Sequence, residues 1–410
     1  MKPRTTRVAW IAAASAAAVL GLSACSDGTG GGTASGDATT LVVQDYYGDE
    51  PQKTVIGDLL DGCAADMGVT IQRNVVAAPS LVQKTLQQAS AHDLPDVLMV
   101  NNPDVQQFAQ AGYLRPLEDF DIDTSGYPDG ILKAGSYDGT LYGLAPGVNT
   151  LALFYNEDLL KAAGVTPPTT WDELKAASAA LSGDGKYGVA FSAVATYEGS
   201  WQFMPFLWSN GGTESDIDTP EAIGALQLWT DLVQSGSASQ SVVNWSQADV
   251  ADQFKAGKAA MMVNGPWQIP GLEATDGLNY GIVQIPVPAA GDTLIDPLGG
   301  EMWTVPNTGD DAKEKKAAEL VACLNSDKSQ LQNALAQNYV PARSSLGTQV
   351  VAQVPQMQTF VDLVANARGL TAELGPDYPG SATRIYTAIQ SALTGSLPPA
   401  EAAAQAQAMK

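Results

Sequence analysis

From Thr40 onward, short apolar runs alternate with amphipathic helical patterns, and few architectures can bury such a series. Thr40-Leu41-Val42-Val43 reads as a buried strand. Residues 53–67 then set Ile56, Leu59, Leu60, Cys63 and Met67 on one helical face. Val69 to Val76 and Asp96 to Val100 read as the next strands, with Leu81 and Leu86 on a helix between them. Parallel strands need crossover connections of this length, so the order predicts a mostly parallel sheet covered by helices. A second cycle opens at Leu151-Ala152-Leu153-Phe154-Tyr155. Thr170 and Glu173 form a capping box before a helix that turns Trp171, Leu174, Ala177 and Leu181 inward. Thr219-Pro220 starts another as N-cap and N1, with Leu226, Trp229 and Val233 inward. At that spacing Trp171 and Trp229 read as core. Strands at Ala259 to Val263 and Tyr280 to Ile285 follow, then helices near 312–324, 381–394 and 400–410. Two α/β units result. Ligands in such folds sit beyond the carboxyl ends of strands, so one cleft between two units suggests a protein that closes on a ligand.

Charge narrows the partners. The 410 residues include 44 acids and 21 Lys or Arg, a net charge of -23. Such a chain repels phosphate backbones, which argues against nucleic acid as a partner. His92 is the one histidine, which argues against a His-rich metal site and, unless His92 itself serves, against a Ser-His-Asp triad. Gly257-Lys258 lacks the earlier glycine and the following Ser or Thr of a P-loop. Asp121, Asp123 and Ser125 start like a calcium loop, but its twelfth position is Leu132. The reading is a monomeric binding protein without metal or cofactor, and not an enzyme. Paired carboxylates for glycoside hydrolysis stay open as an alternative, because separation in space is invisible in a sequence.

The N-terminus reads as an address. Residues 1–7 are basic, and residues 8–22 are apolar but too short and Ala-rich for a membrane span. Leu22-Ser23-Ala24-Cys25 resembles a bacterial lipobox. Residues 1–24 are then a lipoprotein signal peptide, Cys25 takes the lipid, and the Gly/Ser/Thr-rich residues 25–38 are a flexible tether. An ordinary cleaved secretory signal with a chance cysteine is the alternative. The expected location is extracytoplasmic, with the lipid anchoring the chain to the cell membrane.

Several stretches carry a family resemblance. They are Leu141-Tyr142-Gly143-Leu144-Ala145-Pro146 followed by Asn149 to Asn156, Pro167-Pro168-Thr169-Thr170-Trp171-Asp172-Glu173-Leu174, and Phe254-Lys255-Ala256-Gly257-Lys258 running to Asn264-Gly265-Pro266-Trp267. Leu298-Gly299-Gly300 and Val340-Pro341-Ala342-Arg343 add weaker matches. In this order they resemble the family 1 extracellular solute-binding proteins of bacterial ABC importers. The resemblance implies a two-lobed, type II periplasmic-binding-protein-like α/β fold, each lobe a mixed, mostly parallel sheet flanked by helices. It places 39–147 and 288–340 in lobe 1, and 148–287 and 341–410 in lobe 2. The chain should cross near 147–153, 283–288 and 340–345. Hinge closure around the ligand is general for periplasmic binding proteins. The implied partners are a mono- or oligosaccharide and the permease subunits of an ABC transporter; a non-sugar solute such as a polyamine is the alternative.

A sugar offers C–H faces to aromatics and rim hydroxyls to polar groups. Trp267 matches the family's stacking tryptophan of the second lobe, against the alternative of a core ring. Asn149 aligns with a ligand-contacting acid; Asn keeps the hydrogen bonding and drops the charge. Trp201 and Glu198 fall by alignment near a contacting aromatic, with core packing and surface exposure as their alternatives. Tyr46 and Tyr47 follow the first strand, so one should face the cleft and the other pack. Asn101, Asn102 and Asp104 follow the third strand, where the family places polar contacts; turn chemistry around Pro103 explains them equally. Glu301 and Trp303 follow Gly299-Gly300 on one strand face, and Tyr378 precedes the last long helix; all three are expected at the cleft. By the same fold assignment Cys63 and Cys323 lie on helices of lobe 1. A disulfide between them is expected, with two buried thiols that never meet as the alternative.

Overall fold

In the computed structural model, residues 39–409 are described. The signal segment, Cys25 and the tether lie outside the described residues. Two sheets organise the rest. The first has five strands in the order Thr70–Val75, Thr40–Asp45, Val97–Asn101, Glu301–Thr304 and Gly143–Leu144. The second orders Tyr280–Val283, Ala152–Asn156, Ala259–Asn264 and Tyr187–Ala190. In each, a single strand runs against the others: Glu301–Thr304 in the first and Ala152–Asn156 in the second. The cause is shared. Each reversed strand begins just after the chain has passed from one sheet to the other, so it starts at the linking end and runs outward.

Local chemistry places the helices as the patterns predict. Thr170 Oγ1 accepts the Glu173 N–H at 3.3 Å, Glu173 reaches back to cap Thr170, and Trp171–Ala180 follows. Thr219 accepts the Ala222 N–H at 3.2 Å and Pro220 opens Pro220–Gln234. Trp229 on that helix is fully buried, its ring 4.2 Å from Phe191, 5.1 Å from Phe203 and 5.5 Å from Phe206. Trp171 is only half-buried, its indole N–H bonded to the Pro286 carbonyl at 3.1 Å. The helix Tyr197–Ser209 has no counterpart among the sequence patterns. It is buried on nearly all sides from Gly199 to Trp208, so no amphipathic stripe marks it.

The lobes are joined by three passages. Val340 and Pro341 pair with Val148 and Gly147, while Asn149 and Gly299 exchange backbone hydrogen bonds of 3.1 and 2.9 Å. The second passage lies at 296–300, later than the expected 283–288. After the strand Tyr280–Val283 the chain stays on the second lobe, where Val287 pairs with Thr169 and Trp171 and the Ile295 N–H bonds Ser209 Oγ at 3.0 Å. The segment after the third passage spans both lobes. Arg343 is bound to Asp123 at 3.1 Å on the first, and Phe360 lies 6.0 Å from Phe154 of the second sheet. On the first lobe, a disulfide joins Cys63 of Gln52–Met67 to Cys323 of Asp311–Leu324, with 5.9 Å between Cα atoms.

Candidate functional site

Both sheets present strand carboxyl ends to the passages, and most of the candidate residues gather there. On the first lobe, Tyr46 follows Thr40–Asp45 and is half-buried; its hydroxyl lies 3.2 Å from Asn101 Oδ1 and donates to Glu301 Oε1. Asn101 and Glu301 face each other in register across two strands, which is why the three meet. Burial pushes the Glu301 carboxyl above the ordinary carboxylate range, and the tyrosine hydrogen bonds oppose that rise. Tyr47 is the partner that packs: its hydroxyl pairs with that of Tyr339 at 3.0 Å beside the third passage. Tyr339 escaped the sequence reading, although it stands directly before Val340-Pro341.

On the second lobe, Glu198 and Trp201 lie one turn apart at the start of Tyr197–Ser209. Glu198 Oε2 accepts the Gln247 N–H at 2.9 Å, and burial, the larger effect, raises its pKa against that bond. The Gln247 carbonyl accepts from Asn264 Nδ2 at 2.9 Å, at the carboxyl end of Ala259–Asn264. The next residues carry Trp267 on a short turn. Its half-buried ring lies so close over Gly265 that a Cβ there would stand 2.0 Å from it. Gly299 has the same relation to two candidates at once: a Cβ would stand 2.2 Å from Asn149 Oδ1 and 2.4 Å from the Trp201 ring. Asn149, Gly299 and Trp201 are therefore one packed unit at the lobe junction.

Asn149 is 5% exposed where it packs on Gly299, and five further candidates are packing residues in this structure. Trp303 is 2% exposed between Met99 and Leu144 of the first sheet, two residues deeper than Glu301 along its strand. Tyr378 is 1% exposed, in the second lobe's core. Tyr47 packs as described. Asn102 is buried with its amide donating to the Leu298 carbonyl at 2.9 Å. Asp104 is 1% exposed, accepts the Tyr197 hydroxyl at 3.0 Å, and burial pushes its carboxyl up to about 7. In each case a partner distant in sequence covers the side chain.

Comparison with known proteins gives the family. The family model described as bacterial extracellular solute-binding protein matches residues 58–359. A Brucella abortus protein assigned as a binding protein is 30% identical over 240 residues, 56% of this chain and 58% of that protein's length. The galactooligosaccharide-binding protein of Bacillus subtilis is 25% identical over 326 residues, 76% of this chain and 75% of its own. Among solved structures, the GacH receptor of Streptomyces glaucescens, crystallised unliganded and with acarbose, superposes with a TM-score of 0.79 at 27% identity, covering 90% of this chain and 96% of its own. The chain belongs to the bacterial extracellular solute-binding protein family.

Proposed function

We propose that this chain captures a mono- or oligosaccharide between its lobes and delivers it to the permease of a bacterial ABC importer. The observation that carries this reading is that half-buried aromatics stand with carboxyl or amide groups on each lobe near the passages. Trp201 and Trp267 lie with Glu198 on one lobe, and Tyr46 lies with Asn101 and Glu301 on the other. Aromatic faces suit the C–H faces of a pyranose, and the polar groups suit its rim hydroxyls. Trp267 is the stacking platform in this reading, and Asn149 holds hydroxyls where the lobes meet. A relative named for galactooligosaccharide binding and a neighbour crystallised with acarbose support a carbohydrate. The protein works outside the cytoplasmic membrane, held by lipid on Cys25, as a binding protein without cofactor.

A melting-shift screen over a carbohydrate panel tests the reading, because a ligand that binds only the native state raises its apparent stability. At least one neutral sugar should raise the melting temperature and be recovered intact. No shift with any sugar, or hydrolysis of the sugar, would refute it. Intact-mass analysis of membrane-fraction protein should show residues 1–24 removed and a lipid on Cys25.

A further inference from the structure

Besides the three chain passages, the lobes share a side-chain joint. Asp104 lies in the first turn of Asn102–Gln110, a first-lobe helix that leaves the strand carrying Asn101. It accepts the hydroxyl of Tyr197, the opening residue of the second-lobe helix that carries Glu198 and Trp201. Two residues further along the first helix, Gln106 Nε2 donates to Thr371 Oγ1 at 3.1 Å. Thr371 belongs to a strap, residues 368–377, that packs against the first-lobe helices Asn102–Gln110 and Asp129–Ala134 and is tied to the second lobe through Arg368. Arg368 binds the fully buried Glu214 at 3.1 Å and Glu373 at 2.9 Å, and stacks 4.6 Å over Trp208. The strap leads into Tyr378, whose ring lies 6.4 Å from that of Tyr197.

We infer that Asp104 and Tyr197 are positioning residues, a lobe-to-lobe latch that holds Glu198 and Trp201 opposite Asn101 and Glu301. The inference rests on the proposed cleft but not on which solute fills it. The groups bearing on the joint are the phenols of Tyr197, Tyr378 and Tyr386 and, beyond Tyr378, the Glu214 carboxylate; the elements packed against Asn102–Gln110 also carry Asp129, Lys133, Asp377 and Arg384. Separating the lobes returns Asp104 to water, where an aspartate has a pKa of ~3.9. The joined state therefore holds the proton more tightly. The latch is strongest below about pH 4 and weakens as pH rises towards 7. Linkage allows a loss of roughly 10- to 100-fold in the joined-to-separated ratio between pH 5 and 8.

Hydrogen–deuterium exchange on the ligand-free full chain reads this directly, over peptides covering 102–110 and 368–377, corrected for the intrinsic rate at each pH. Native protection in both peptides should fall by roughly 10- to 100-fold from pH 5 to 8. Asp104→Asn keeps an acceptor for Tyr197 and removes the titration, so its protection should be flat with pH. Tyr197→Phe should lower protection in both peptides by about tenfold, a typical cost of one buried hydrogen bond, and leave Pro220–Gln234 unchanged. A native chain flat across pH overturns the inference. So does an Asp104→Asn variant that tracks the native profile, or a Tyr197→Phe variant that loosens Pro220–Gln234 as much as the strap. No solute enters the experiment, so its outcome is separate from that of the sugar screen.

Discussion

Trp229 and Trp267 should respond to the same substitution in opposite ways. Trp229 has no exposed surface and is enclosed by Phe191, Phe203 and Phe206. Its indole N–H has no partner, so replacing it by Ala strands no other polar group. What remains is lost burial and a cavity, ~3–5 kcal/mol for a Trp-to-Ala change in a core. If about 370 residues unfold together at ~2.1 cal/mol/K each, the melting temperature falls by about 4–6 °C. If the second lobe melts separately, the same energy is spread over fewer residues and the fall is about twice as large. Trp229→Phe should lose less, because it keeps most of the ring and removes the unpartnered N–H. Trp267 is half-buried over Gly265 at the lobe junction. Trp267→Ala should leave the ligand-free melt near the native value and weaken sugar binding by ~2–4 kcal/mol, or roughly 30- to 1000-fold. Scanning calorimetry and titration calorimetry on both variants make the comparison. A Trp229→Ala melt within 1 °C of native, by order of magnitude, would refute the core argument. A Trp267→Ala variant that binds normally but melts far lower would show that the ring supports the fold instead of the site.

Other perturbations follow from single contacts. Gly299→Ala drives a methyl into Asn149 and Trp201; overpacking of ~1–3 kcal/mol should appear as weaker sugar binding, with a smaller effect on the melt, because Trp201 is only half-buried and can swing away. Arg368→Leu leaves Glu214 buried without its cation; a loss of ~3–5 kcal/mol is expected, read by denaturant unfolding. Reducing the Cys63–Cys323 bond should lower stability by ~2–5 kcal/mol, and thiol titration of the denatured, unreduced protein should find neither cysteine free.

What could be read before the fold was known is short in range. The capping box at Thr170 and Glu173 and the inward stripe of Trp229 depend on residues three or four apart, and both appear as expected. The strand ends bearing Tyr46 and Asn101 follow from the same patterns, because a strand's last residues point to where its loop must go. The helix Tyr197–Ser209 was illegible because burial on almost every side erases the contrast that periodicity needs. The second passage lies later than the motif spacing implies, because the pairing of Val287 with Thr169 joins residues over a hundred positions apart.

The same limit divides the candidate site. Strand–helix alternation, family motifs and residue chemistry named Glu301, Trp267 and Asp104 alike. Only the packed chain separates them. Glu301 stays half-buried beside Tyr46, and Trp267 rests on its own glycine, whereas Asp104 is covered by a tyrosine 93 positions away. Local sequence sets turns, caps and faces because these depend on neighbours along the chain. Whether a side chain meets solvent, solute or another lobe depends on which distant segments come to lie over it, and that is settled when the two sheets are brought end to end.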